Sequence, residues 1–192
     1  MPNDNELIRL AQQGQRLAFR DLVRRYQKTA YYFALDLTGN HDDAQDLSQE
    51  VFVQIYQSIN RFRGESKFST WLYRITLNTW TNQKRKRNAR MHSLVDPFSE
   101  TTVHLQAKDH NSSPEQETDC ALIYDHIRQA ARVLSPKEKS VFFLRQFQEQ
   151  KLQEIAEILG VKVGTVKSLL FRALKKMQKE LAVYYQDGKN IS

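Results

Sequence analysis

Gly160 stands between two stretches of helical periodicity, and this pair constrains the fold of the C-terminal third more tightly than any other feature. Before it, Leu152, Ile155, Ala156 and Leu159 fall at i, i+3, i+4 and i+7, the spacing of one buried helical stripe. A glycine at the next position takes the left-handed conformation without a Cβ clash and turns the chain into a second helix. On that helix, at 100° per residue, Val163, Val166, Leu170, Ala173, Leu174 and Met177 cluster on one side. The opposite side carries Gly164, Ser168, Phe171, Arg172 and Lys175, with Thr165 and Lys167 at its margins. Small, hydroxyl and cationic groups on one face suit a major groove, where they meet base edges and phosphates. The spacing predicts a helix-turn-helix over residues 152–181; taken alone, it also fits an ordinary helical hairpin with a solvated basic face.

The 192 residues suffice for one domain or two small ones. Cys120 is the sole cysteine, so an intramolecular disulfide and a cysteine zinc cluster are excluded, which suits a reducing compartment. The first residues, MPNDNELIRL, lack the pattern of a secretory signal, and no stretch approaches the apolar length of a membrane span. A cytoplasmic protein is expected. Charge is uneven: residues 1–90 carry 15 Lys/Arg against 9 Asp/Glu, residues 91–118 carry 1 against 5, and residues 119–192 carry 13 against 8. Two basic blocks flanking an acidic middle suggest an extended polyanion as partner.

Along the chain, Glu6 to Gln13 reads as a short helix closed by Gly14. A longer helix follows, with Phe19, Leu22, Val23, Tyr26, Ala30, Phe33 and Leu37 as core and Gly39 as its end. A third helix is expected from about Asp42 to Ile59, with Ala44, Leu47, Val51 and Ile55 inward. Its outer face, Asp42, Asp43, Asp46, Gln49, Glu50 and Val53, is an acidic stripe on a basic block. Three explanations compete: a solvated face, a carboxylate site for Mg²⁺ in a nuclease, and a docking face for a basic helix. No nearby histidine, lysine or glycine-rich turn offers a base or a phosphate cradle, which weighs against the metal site.

From Asn60 to Arg90, aromatic and cationic side chains alternate through a loop at Gly64 and a helix expected to be capped by Ser69. Phe62, Phe68, Trp71, Tyr73 and Trp80 lie among Arg61, Arg63, Lys67 and Arg74, ahead of the run Lys84 to Arg87. Rings that stack on unpaired bases and cations that track a backbone suit single-stranded or opened DNA, while many of these rings equally suit a core. Residues 91–118 lack sustained periodicity and read as a flexible acidic linker. A helix from about Asp119 to Val133 follows. Ser135, Pro136 and Glu138 then form a capping box that opens another helix, running to about Phe147. No strand pattern occurs. The expected fold is all-α, with two small helical domains (1–90 and 119–192) joined by the linker at 91–118.

The segment from Asp43, DAQDLSQEVFVQIYQSINRFRGESKFSTWLYRITLN, resembles the second conserved region of bacterial RNA polymerase sigma factors of the extracytoplasmic-function type. LSPKEKSVFFLRQFQEQKLQEIAEILGVKVGTVKS, from Leu134, resembles their fourth. The two motif sets occur in order across both basic blocks. The resemblance implies a non-enzymatic factor that binds core RNA polymerase and directs promoter-specific initiation, without cofactor, metal or small-molecule substrate. It implies docking of the acidic stripe on the clamp helices of the largest subunit, with Asp46, Gln49, Glu50 and Val53 as candidates, and further contact with the flap of the second-largest subunit. It places Phe62, Arg63, Lys67, Trp71, Ile75 and Asn78 at the melted −10 element, where Phe62, Ile75 and Asn78 would wall a flipped base. It assigns −35 recognition to Gly164, Thr165, Lys167, Ser168, Phe171, Arg172 and Lys175. An anti-sigma factor, often membrane-bound in this family, is the expected inhibitor, and two exposed functional faces are what it would cover.

The chain departs from the family where many members read SRLHRAR. Here Ser168, Leu169, Leu170, Phe171, Arg172, Ala173 and Leu174 replace two arginines and a histidine by apolar groups. Lys162, at the head of that helix, cannot act as an oxygen cap. Neither promoter sequence nor inducing signal follows from these residues. Two other classes remain open at this point: a homodimeric helix-turn-helix regulator independent of polymerase, and a metal-dependent nuclease.

Overall fold

The computed structural model describes residues 2–94 and 119–187, and among them all regular structure is helical. The first lobe holds α1 (Asp4–Gln12), α2 (Arg16–Thr38), α3 (His41–Ser58) and α4 (Phe68–Leu94). The second holds α5 (Asp119–Ala130), α6 (Pro136–Gln146), α7 (Leu152–Leu159) and α8 (Val163–Asp187).

Local signals explain most of the boundaries. The Asn3 side chain accepts the Glu6 N–H at 2.9 Å to cap α1, and Asn40 accepts the Asp43 N–H at 3.0 Å to cap α3. Asp42 and Asp43 in the first turn of α3 complement its dipole. Gly39, at φ 71°, ends α2, and Gly160, at φ 63°, ends α7; both lie in the left-handed region that a side chain would disfavour. The Ser135–Glu138 capping box forms as expected, with the Glu138 carboxylate accepting the Ser135 N–H at 2.9 Å.

Two expectations need correction. The start of α4 is Phe68, with the Trp71 N–H donating to the Lys67 carbonyl at 3.3 Å, so Ser69 lies inside the first turn and does not cap it. Packing decides this: Phe68 is buried against Tyr26, ring centroids 4.8 Å apart, which pulls it into the helix. The far end of α4 continues to Leu94, so residues 91–94 belong to a helix; the rest of the expected linker, 95–118, lies outside the described residues.

The core of the first lobe is the inner stripe of α3 (Ala44, Leu47, Val51, Ile55) against Leu22, Ala30, Phe33 and Leu37 of α2 and Leu72 of α4, all buried. Thr76 and Thr79 are also buried, and each hydroxyl donates to the carbonyl four residues back, that of Thr79 also lying 3.1 Å from Gln54 Oε1 of α3. In the second lobe Val141, Phe143, Leu144, Ile155, Val166, Ala173 and Met177 form the core.

The lobes pack together. Asp36 and Arg128 form an ion pair at 3.2 Å with side chains 4% and 14% exposed, and Lys139 Nζ donates to the Leu37 carbonyl at 3.0 Å. Burial pushes the Asp36 carboxyl up to about 6, against the pull of Arg128, Gln148 and Lys139. The Lys139 ammonium is pushed down to about 8 by the same burial, with Lys84 and Arg132 adding to the effect.

Candidate nucleic-acid and docking interfaces

The loop before α4 is built around Phe62. A 3-10 turn, Ile59–Arg61, delivers the chain to it, and the Gln12 side-chain amide of α1 donates to the carbonyls of both Ile59 and Phe62 at 2.9 Å. Gln12 therefore fixes the loop backbone, a role that its place in an ordinary polar stretch did not signal. The Phe62 ring lies 4.9 Å from Trp71 and 6.1 Å from Phe68, half-buried. Trp71, Ile75 and Asn78 fall at i, i+4 and i+7 on α4 and so share a face, with Phe62 over its N-terminal end. Trp71 and Ile75 are half-buried and Asn78 is exposed. Aromatic surface is thus available at one end of this face and an amide at the other, the combination that stacks and hydrogen-bonds an unpaired base. Arg63 is exposed beside Glu65 at 3.9 Å. Lys67 does not stand free: its Nζ meets Glu154 Oε1 of α7 at 2.7 Å.

The acidic stripe of α3 is exposed at Asp46, Gln49, Glu50 and Val53. Glu50 accepts from Gln54 at 3.2 Å and from Gln83 of α4 at 2.6 Å. Asp43 receives both guanidinium nitrogens of Arg87, at 2.7 and 3.1 Å, and these hydrogen bonds hold its carboxyl below the usual range. The stripe is therefore partly neutralised at its N-terminal end by the basic run of α4. Tyr56, exposed and one turn beyond Val53, extends the face as an apolar patch that its charge pattern did not reveal. Among the described residues no group of three or more His, Cys, Asp or Glu side chains is placed to hold a metal ion.

On α8 the seven expected groove residues are all exposed, with Phe171 at 69%. The Ser168 hydroxyl donates to the Gly164 carbonyl at 3.1 Å, and Gly164 has open space above it, so a ligand backbone meets no side chain there. Arg172 is held near α6 by Glu138 at 3.8 Å, which also takes Lys176 at 2.7 Å. The apolar stripe differs from expectation: Leu169 is buried at 5% and Leu174 is 42% exposed. Because α8 packs against α6, α7 and α5 together, its buried stripe is Val166, Leu169, Ala173 and Met177, rotated from the one that its own periodicity suggested. One of the missing family arginines is thus replaced by a core leucine and another by an exposed one.

Residues 22–90 match the description Sigma-70 region 2, and residues 124–177 match Sigma-70, region 4. The chain is 31% identical over 93% of its length to RNA polymerase sigma-H factor of Pseudomonas aeruginosa, also covering 93% of that protein. The chain belongs to the sigma-70 family. Its relatives are of the extracytoplasmic-function group: it is 32% identical to SigW of Bacillus subtilis, over 91% of this chain and 94% of that one, and 34% identical to the sigma-E factor of Haemophilus influenzae, over 93% and 95%. The fold matches the sigma factor RpoE of Bartonella quintana, solved with the anti-sigma factor NepR, at TM-score 0.69 and 24% identity over 86% of this chain and 97% of that one. It also matches CnrH, solved with the cytosolic domain of CnrY, at TM-score 0.66 and 22% identity over 92% and 96%. This sigma factor therefore directs promoter-specific initiation with RNA polymerase, and the homodimeric regulator and the nuclease are not favoured. No helix among the described residues is long and apolar enough to cross a membrane.

Proposed function

We propose that the first lobe, residues 1–90, docks on core RNA polymerase and opens the −10 element, while the second, residues 119–192, reads the −35 element. The observation that carries this division is the pairing of two unlike surfaces on one lobe, an acidic face on α3 and an aromatic and amide face on α4, with a cationic helix-turn-helix on the other. Asp46, Gln49, Glu50 and Val53 meet the clamp helices of the largest subunit, and the second lobe meets the flap of the second-largest. Phe62, Arg63, Lys67, Trp71, Ile75 and Asn78 engage the separated −10 strand. Gly164, Thr165, Lys167, Ser168, Phe171, Arg172 and Lys175 lie along −35 DNA.

The factor itself catalyses no reaction, and it works in the cytoplasm. An anti-sigma factor, membrane-bound or soluble, restrains it; the solved relatives held by NepR and by CnrY support that class of partner. Reconstitution tests the docking step: the chain is expected to co-elute with core polymerase in gel filtration, and a chain that elutes separately at micromolar concentration contradicts it.

A further inference from the structure

Between the 3-10 turn and α4, residues 62–67 form no regular structure, so the Phe62 backbone takes its position from contacts with other elements. Among the described residues one side chain hydrogen-bonds the backbone of residues 59–67, and it is Gln12, the last residue of α1. Its partners, the Ile59 and Phe62 carbonyls, lie 47 and 50 positions away. A carbonyl only accepts, so the atom between the two is the amide nitrogen, and both of its protons are used. The Ile59 carbonyl also takes the Phe62 N–H at 3.0 Å, which joins amide, turn and ring-bearing residue in one network.

The other end of α1 is anchored beside the same rings. Asp4 accepts from the Tyr26 hydroxyl and from Arg25, and the Tyr26 ring lies 4.8 Å from Phe68. Phe68 in turn lies 5.8 Å from Trp71 and 6.1 Å from Phe62. Leu7 and Ile8, between the two anchors, are buried. Helix α1 is therefore a fixed bar alongside the ring cluster, and Gln12 is the point at which it grips the irregular loop. We propose that Gln12 is a positioning residue for promoter opening: its amide holds Phe62 against Trp71 before DNA arrives, so that the extruded −10 base enters a pocket already formed. The inference rests on the assignment of Phe62, Ile75 and Asn78 to the −10 strand.

Taking a base out of the stack is unfavourable by itself, and ordering a loop in the same step adds to the barrier. A loop ordered in advance removes that second contribution. Two neutral hydrogen bonds at a half-buried site bias the loop by on the order of tenfold, which is the loss of opening expected when both donors go. Gln12→Met keeps the length of the side chain and removes the donors. Gln12→Lys restores donors without an acceptor, which is what two carbonyls need. Because lysine also adds a charge, Gln12→Met combined with Gln13→Lys places that charge on the neighbouring exposed residue, with the donors of residue 12 still missing.

The test uses the full chain with core polymerase, on a promoter recovered by run-off transcription with the wild-type holoenzyme. The rate at which −10 thymines become permanganate-reactive should fall about tenfold in Gln12→Met, with core affinity and duplex capture unchanged. It should recover in Gln12→Lys and stay low in Gln12→Met with Gln13→Lys. Single-stranded −10 oligonucleotides carrying one abasic site at each position in turn separate positioning from general weakening. The position at which wild-type holoenzyme loses most affinity marks the extruded base, and that loss should shrink in Gln12→Met. In the free chain, acrylamide should quench Trp71 more readily in Gln12→Met, since Phe62 covers that ring and Trp80 is buried. If Gln12→Met melts early, Gln12→Glu, which keeps the shape and loses the donors, carries the same comparisons. Wild-type opening by the donor-less chain overturns the proposal, as does opening that Gln12→Lys fails to restore or that Gln13→Lys restores equally. An undiminished abasic loss overturns it too. Full opening by Phe62→Ala would instead remove the −10 assignment itself, whereas impaired opening by Phe62→Ala beside wild-type opening by Gln12→Met removes only the role of Gln12.

Discussion

Glu138 fixes the entry of α6 and at the same time gathers two cations of α8. Burial pushes its carboxyl up, but the Lys176 ammonium and the Ser135 N–H and hydroxyl outweigh that and bring it to about 2. A carboxyl held below its ordinary value stabilises the fold above that value, and the contribution disappears as pH falls from about 4.5 to about 2. Lys176 and Arg172 remain substantially exposed, so screening leaves roughly 1 kcal/mol. Glu138→Gln should lower the melting temperature above pH 5 and flatten the loss of stability in acid. Thermal melts across this range check it; an unchanged acid limb contradicts it. The capping role of Glu138 is visible in the sequence three residues after Ser135. Its ion pairs are not, because they join residues 34 and 38 positions apart. Asp36 is legible in part: a lone acid among Ala34, Leu35 and Leu37 needs a buried cation, but nothing local names Arg128. At the −10 face, Phe62→Ala and Asn78→Ala should leave duplex capture by holoenzyme intact and impair strand opening, with a pre-melted bubble restoring part of the activity. Permanganate footprinting of unpaired thymines separates these steps, and full opening by both variants contradicts the role of this face.

Helix α3 divides cleanly into a buried and an exposed side, because four core residues recur at helical spacing while Asp46 and Glu50 project away from them. Asp46→Lys with Glu50→Lys should therefore weaken binding to core polymerase by several kcal/mol through like-charge repulsion, with the fold retained. Titration of labelled chain against core, beside a melting curve, is the measurement; wild-type affinity in the double variant removes this face from the docking scheme. Helix α8 shows the limit of such periodicity. Its pattern located the helix and its exposed cations, but three neighbouring helices choose the buried stripe, so Leu169 and Leu174 exchanged places. Replacing Lys167, Arg172 and Lys175 by Ala in the full chain should weaken capture of duplex promoter by holoenzyme and reduce the salt slope by roughly 0.9 for each phosphate no longer neutralised. Arg172 should contribute least, since Glu138 already engages it. A slope unchanged in the triple variant contradicts phosphate binding by this face.

At the scale of the whole molecule, the sequence separates two basic helical blocks, and the structure adds that they bind one another through residues 75 to 102 positions apart. Such pairings leave no periodic trace in either block, so nothing in the sequence signals that Lys67 meets Glu154. The 25 links from Leu94 to Asp119 span at most about 90 Å when extended, enough for the lobes to part to promoter spacing without breaking either core. Docking, −35 capture and −10 opening must then all succeed on one DNA. Run-off transcription by core polymerase with the purified chain, on a fragmented bacterial genome as template, tests all three together. Discrete transcripts whose start sites share two upstream elements, absent with core alone and reduced by Phe62→Ala and by the α3 double reversal, are the predicted result. The same transcript pattern with and without the chain would contradict its assignment as the specificity factor.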